Sequence, residues 1–137
     1  MVRVIIAGGR DFDDYKHLEQ KCHTVFYLLS KEKGVLSGHV KEDVPNMEIV
    51  SGTAKGADKL GEVFAAKYRI RVKKFPADWN TYGKRAGYIR NEQMAKYAMS
   101  DNAYGVLIAF WDGESRGTKH MIDLANKHGL EVYVFNY

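Results

Sequence analysis

The residues best suited to chemistry form the stretch 51–58 (SGTAKGAD), where a short apolar run ends and a helical pattern begins. Two of them, Gly52 and Gly56, carry no Cβ, so the backbone there is free to turn sharply and to approach a ligand closely. Unpaired amides at the start of a helix favour an anion. The stretch also contains two hydroxyl side chains and a lysine. These features together favour a bound phosphate.

An ordinary strand-to-helix turn has a similar composition. In that interpretation Ser51 or Thr53 would serve as the helix cap. The stretch is not a P-loop, because no Gly-Lys-Ser/Thr follows four residues after a glycine. Residues 51–58 alone therefore leave both interpretations open.

A second candidate phosphate site is the stretch 112–118 (DGESRGT), which follows an apolar run and precedes a helical pattern. It offers backbone amides and the hydroxyls of Ser115 and Thr118, with a capped helix start again as the alternative. Arg85 and Arg90 flank the start of the preceding helix. An arginine binds phosphate through paired hydrogen bonds, although a solvated helix face is its ordinary position.

Aromatic side chains lie beside these turns. Trp79 and Tyr82 are candidates for stacking on a base, whereas Trp111 fits a core position at least as well. The five histidines show no metal-ligand spacing, so we predict no metal site. Cys22 is the only cysteine, which excludes an internal disulfide.

The elements that must position these residues follow the order strand–helix, repeated four times, and then a last strand. The predicted strands cover residues 2–7, 48–50, 72–75, 104–111 and 131–135, and the helices begin near residues 15, 57, 86 and 117. This alternation predicts an α/β fold with a mostly parallel five-stranded sheet and helices on both faces. Ligands of such folds bind beyond the carboxyl ends of the strands, where the turns at residues 8–10, 51–56 and 112–118 would meet.

The 137 residues are predicted to form a single domain, 1–137. A net charge of +4 suits a protein that handles anions, but no dense basic run marks a nucleic-acid groove, so nucleic acid is at most a weak partner. No apolar run approaches the roughly 20 residues of a membrane span, and no signal peptide is evident, so we expect a cytoplasmic location.

Residues 31–47 are interpreted as an irregular insertion, a loop or a small hairpin, and residues 77–85 as a polar loop. The sequence allows a homo-oligomer and does not specify the oligomeric state.

Four motifs are similar to those of a known family: residues 6–12, 50–58, 86–94 and 115–118. In this order, and over nearly the full length except residues 31–47, they resemble the YspA/YpsA-like branch of the SLOG superfamily. That superfamily groups the Smf/DprA DNA-processing proteins with the LOG phosphoribohydrolases, which cleave a nucleoside monophosphate. The resemblance implies a Rossmann-like three-layer fold that binds nucleotides or nucleotide-derived ligands.

One departure from the resemblance concerns catalysis. The LOG enzymes carry Pro-Gly-Gly-x-Gly-Thr-x-x-Glu, whose glutamate acts on the glycosidic bond, and Met121 stands at that glutamate here. A methionine transfers no proton, so we expect little or no release of free base by the LOG mechanism. Asp78, Asp112 or Glu114 would be the substitute acid, and the sequence assigns no catalytic residue.

We therefore predict a protein that binds a nucleotide or an ADP-ribose-like molecule through its glycine-rich turns, as a sensor or carrier, without a further cofactor. The alternatives are a nucleotide hydrolase with a non-standard acid and a DprA-like DNA-associated module. The predicted ligand-binding residues are Gly8, Gly9, Arg10, Ser51, Gly52, Thr53, Lys55, Gly56, Asp58, Asp78, Trp79, Arg85, Arg90, Asn91, Asp112, Gly113, Ser115, Gly117 and Thr118.

Overall fold

A five-stranded sheet forms the centre of the computed structural model, which describes residues 1–137. Its strands are β1 (Val2–Gly8), β2 (Met47–Ser51), β3 (Arg71–Lys74), β4 (Tyr104–Trp111) and β5 (Glu131–Asn136). They are arranged in the order β3-β2-β1-β4-β5, and all four neighbouring pairs are parallel. The predicted Rossmann-like α/β fold is confirmed, with a sheet that is parallel throughout.

Helices cover both faces of the sheet. They are α1 (Tyr15–Lys31), α2 (Val40–Asp43), α3 (Ala57–Tyr68), α4 (Trp79–Tyr82), α5 (Ala86–Ala98) and α6 (Arg116–Lys127), with 3₁₀ turns at Val44–Asn46 and Gly83–Arg85. None of them is both long enough and apolar enough to serve as a transmembrane span.

Two segments differ from the sequence prediction. Residues 31–47 contain α2 and a 3₁₀ turn, so the small hairpin considered there is wrong. The Asp43 carboxylate holds this segment by accepting hydrogen bonds from the N–H groups of Ser37 (2.8 Å) and Gly38 (3.3 Å). Residues 77–85 are likewise not a loop, because Asp78 caps α4 by accepting a hydrogen bond from the Thr81 N–H at 3.1 Å.

The core has two layers because successive side chains of a strand point to opposite faces. On β1, Val4 and Ile6 pack with residues of α1 and α3, whereas Ile5 packs with residues of α5 and α6. This double burial explains why β1 is almost continuously apolar in sequence. Cys22 is a core residue, buried in the layer that contains Val4 and Ile6. Its burial raises the pKa of the thiol.

Candidate functional site

A cleft of about 520 Å³ lies at the carboxyl ends of β1 and β4. The chain leaves β1 toward one face of the sheet and β4 toward the other, so the cleft occupies the topological switch point at which open α/β sheets bind ligands. Its volume falls within the roughly 300–1,000 Å³ typical of small-molecule sites. Of the predicted ligand-binding residues, the cleft is lined by Gly8, Gly9, Arg10, Asp58, Trp79, Arg90, Asn91, Asp112, Ser115, Gly117 and Thr118.

A smaller depression of about 240 Å³ adjoins this cleft and shares Arg10, Ala54, Trp79 and Arg90 with it. It also contains three further predicted residues, Gly52, Thr53 and Lys55. The remaining predicted residues line neither the cleft nor the depression: Ser51, Gly56, Asp78, Arg85 and Gly113.

The turn between β2 and α3 uses much of its hydrogen-bonding capacity internally. The Ser51 hydroxyl accepts a hydrogen bond from the Thr53 N–H at 3.1 Å and donates to Glu62 Oε2 at 2.6 Å. The Asp58 carboxylate accepts from the Ala54 N–H at 3.1 Å. Groups that the sequence offered to a phosphate are therefore already bonded to other groups of the protein. The capping alternative is also wrong in detail, because neither Ser51 nor Thr53 caps α3.

The two glycines of this turn are required by contacts within the protein. A Cβ on Gly52 would lie 2.8 Å from both Arg90 Nη1 and Asp58 Oδ2. A Cβ on Gly56, whose φ is +80°, would lie 2.2 Å from the Gly9 carbonyl oxygen. The close approach predicted for a ligand is thus made by protein atoms at both positions.

Arg90 and Asn91 connect α5 to both neighbouring turns. Arg90 Nη1 donates to the Gly52 carbonyl oxygen, and its Nε donates to Asn91 Oδ1 at 3.1 Å. The buried Asn91 amide donates to the Gly117 carbonyl oxygen at 3.3 Å and lies 3.2 Å from His120 Nδ1. The guanidinium is therefore held in place before any ligand arrives.

The cations of the cleft form no salt bridge. Neither Arg10, Lys84 nor Arg90 has a carboxylate oxygen within 4.0 Å. Burial lowers the pKa of the Arg90 guanidinium, and the nearby Asp58 opposes that shift. An anion in the cleft would meet positive charge that no side chain neutralises by direct contact.

The carboxyl groups near the cleft differ in their chemistry. Burial raises the pKa of the Asp58 carboxyl, only 5% exposed, to about 6, although the Ala54 N–H and Arg90 lower it. Asp112 accepts hydrogen bonds from two backbone N–H groups of its own turn, both at 2.8 Å, which lower its pKa. Asp78 and Glu114 lie outside the cleft lining.

The start of α6 forms the remaining wall. Ser115 caps the helix by accepting a hydrogen bond from the Thr118 N–H at 3.4 Å, and the two hydroxyls lie 3.1 Å apart. The capped helix start predicted as an alternative is therefore present, and both hydroxyls also line the cleft. Met121, one turn further along α6, is buried at 1% exposure and belongs to the apolar part of the lining.

Sequence reasoning missed part of the cleft. The lining residues that it did not select for ligand binding are Ala7, Asp11, Ala54, Lys84, Gly87, Tyr88, Met94 and Met121. Six of these lie within the family motifs, which were the signal available: Ala7 and Asp11 in residues 6–12, Ala54 in 50–58, and Gly87, Tyr88 and Met94 in 86–94. No three His, Cys, Asp or Glu side chains are grouped as a metal ion would require.

Comparisons with known proteins identify the family of the chain. A sequence model of the YspA, cpYpsA-related SLOG family matches residues 38–82, which include β2, α3 and the turn between them. The gene 61 protein of Mycobacterium phage D29 is 31% identical over 140 residues, and the alignment covers 98% of this chain and 97% of that protein. The chain belongs to the YspA, cpYpsA-related SLOG family. The resemblance noted in the sequence is thereby confirmed, and no solved structure matches this SLOG protein.

Proposed function

We propose that this SLOG protein binds a nucleotide or a nucleotide-derived molecule in the 520 Å³ cleft, as a sensor or carrier. The observation that carries the proposal is the set of three cations, Arg10, Lys84 and Arg90, which line a cleft at the switch point without a carboxylate partner. Family membership supports the proposal at the general level of nucleotide-related binding or processing.

The phosphate end of such a ligand would lie between Arg90 and the start of α6. Arg90 keeps its Nη2 donors free, because its bonds to Gly52 and Asn91 use Nη1 and Nε. The first turn of α6 has orphan N–H groups, of which Ser115 satisfies only that of Thr118. A guanidinium and a helix N-terminus aimed at one volume bind a phosphate oxygen by complementary means.

The direct test of the proposal is the affinity of an Arg90→Ala variant for AMP, measured by isothermal titration calorimetry. A charge-assisted hydrogen bond contributes roughly 1.5–3 kcal/mol, so we expect AMP to bind about 10- to 100-fold more weakly than to the wild type. Arg90→Lys should recover only part of the affinity, because the planar fork of donors is lost.

Arg85→Ala is the matched control, because Arg85 is an exposed arginine beside the same helix that lines neither depression. It should bind AMP as the wild type does. Urea denaturation must accompany the Arg90 variants, since they also lose the contact to the Gly52 carbonyl oxygen. Equal affinities in folded Arg90→Ala and Arg85→Ala would contradict a phosphate site at Arg90.

Hydrolysis of a nucleotide is a second candidate function, favoured by one observation. Asp58 lines the cleft, and its pKa of about 6 is suitable for proton transfer near neutral pH. Incubation with nucleoside monophosphates, followed by chromatography of free base, distinguishes the two functions. Under the binding proposal no base is released; turnover by the wild type that disappears in Asp58→Asn would replace binding with hydrolysis.

A further inference from the structure

The wall of the cleft formed by α4 and the start of α5 is aromatic. Trp79 and Tyr88 both line the cleft, and they remain 50% and 44% exposed. Trp79 Cη2 lies 3.6 Å from the position that a Cβ on Gly87 would take, so the indole covers the start of α5. The neighbouring Tyr88 packs edge-on against His120 of α6, with ring centroids 4.5 Å apart. Trp79 and Tyr88 therefore both present exposed aromatic surface to the cleft, and Tyr88 is in addition packed against α6.

Core packing does not account for this wall. Trp79 and Tyr88 belong to neither apolar layer of the core, and burying such large rings elsewhere would stabilise the fold. Trp111 has a structural role instead, since its Nε1 donates to the Ser115 carbonyl oxygen at 3.1 Å and it lies outside the cleft lining. Tyr82, also exposed, lies outside both depressions.

Trp79 also lies close to the cations. It lines the cleft and the smaller depression together with Arg10 and Arg90, so an aromatic face and two guanidinium groups border the same volume. A ligand that uses both must combine an anionic group with a flat ring. Base stacking on an aromatic side chain tolerates any base, because every base has a π face.

We infer that Trp79, with Tyr88 beside it, is the stacking platform for a heterocyclic base of a free nucleotide whose phosphate end lies at Arg90. This inference rests on the proposed function and adds to it the chemical class of the part of the ligand beyond the phosphate. It also distinguishes Trp79 from Tyr82, the other stacking candidate offered by the sequence, and from Trp111, for which a core position was at least as suitable.

The test compares AMP and GMP with ribose 5-phosphate, a probe that keeps the phosphate and lacks the base. We expect the wild type to bind the two nucleotides about 10- to 100-fold more tightly than ribose 5-phosphate in calorimetric titrations. Trp79→Ala should lower nucleotide affinity by a similar factor and leave the affinity for ribose 5-phosphate unchanged. Tyr82→Ala is the matched control, because Tyr82 lies on the same short helix, and it should bind all three ligands as the wild type does.

The outcomes separate this inference from the proposed function. If nucleotides and ribose 5-phosphate bind equally, or if Trp79→Ala matches Tyr82→Ala, the stacking platform is overturned while the phosphate site stands. If none of the three ligands binds, both proposals are overturned. If Trp79→Ala weakens only the binding of a single-stranded oligonucleotide at physiological salt, the partner is nucleic acid and the free nucleotide is excluded.

Discussion

Replacing Gly56 with alanine is expected to reduce the free energy of unfolding by about 4 kcal/mol, the largest effect of any substitution considered for this protein. Gly56 has a φ of +80° and a ψ of −128°, a conformation open essentially to glycine alone. The new Cβ would also lie 2.2 Å from the Gly9 carbonyl oxygen, which is backbone and has little freedom to move. That oxygen accepts a hydrogen bond from the Ala57 N–H at 3.2 Å, so the substitution would separate the turns after β1 and β2.

Gly113→Ala is the matched control for this effect. Gly113 has a similar φ of +87°, but a Cβ there would meet nothing within 4 Å. Gly113→Ala should therefore reduce the free energy of unfolding only through the unfavourable backbone conformation, by about 1–2 kcal/mol. Urea denaturation of both variants measures the difference. If the two variants are equally stable, the contact between the turns does not constrain the fold as described.

The second large effect concerns Asp58 and the pH dependence of stability. Burial raises the pKa of this carboxyl from 3.8 to about 6, so the folded protein binds its proton more tightly than the unfolded chain does. The stabilisation by this group is therefore complete below about pH 4 and is lost as the pH rises through about 6. The loss amounts to about 3 kcal/mol. Denaturation of the wild type and Asp58→Asn at several pH values between 4 and 7 should show the difference between them changing by this amount.

Asp112 supplies a control of opposite sign. Hydrogen bonds from backbone N–H groups lower its pKa, so its contribution to stability is present above the unfolded value and is lost as the pH falls. Relative to Asp112→Asn, the wild type should therefore gain stability as the pH rises. A wild-type to Asp58→Asn difference that is constant with pH would contradict the burial of a titrating carboxyl at position 58.

Most of the fold could be predicted from the sequence because the sheet is buried on both faces. The apolar run of β4 predicts Tyr104–Trp111, and the structure has those same limits. The short helices α2 and α4 were missed because four residues span little more than one helical turn and leave no periodic pattern. Single carboxylates hold these segments: Asp43 bonds the loop before α2, and Asp78 caps α4, and the sequence does not reveal the partners of either.

The candidate site was less predictable than the fold. Turn residues were identified by type, but the sequence does not state which of their groups are already bonded. The sequence shows that Ser51 has a hydroxyl. Only the structure shows that this hydroxyl donates to Glu62 and accepts a hydrogen bond from the Thr53 N–H. Lys84 and Tyr88 were missed because the sequence does not show which side chains reach the cleft. They reach the cleft because α4 and α5 turn back over the carboxyl ends of the strands, an arrangement set by tertiary packing.

The pairing of β1 with β4 has a consequence for biosynthesis. Val2 lies opposite Tyr104 in this pair, so the two walls of the cleft come from chain regions that leave the ribosome far apart in time. The first three strands emerge with α1 and α3, but the apolar edge of β1 then remains open, a hazard for wrong pairing in a growing chain. Only after the ribosome has completed β4 and α6 does the cleft exist. A ligand of the cleft would therefore bind only to chains synthesised almost to the last strand. Nascent or proteolysed fragments that end before Tyr104 would not bind it.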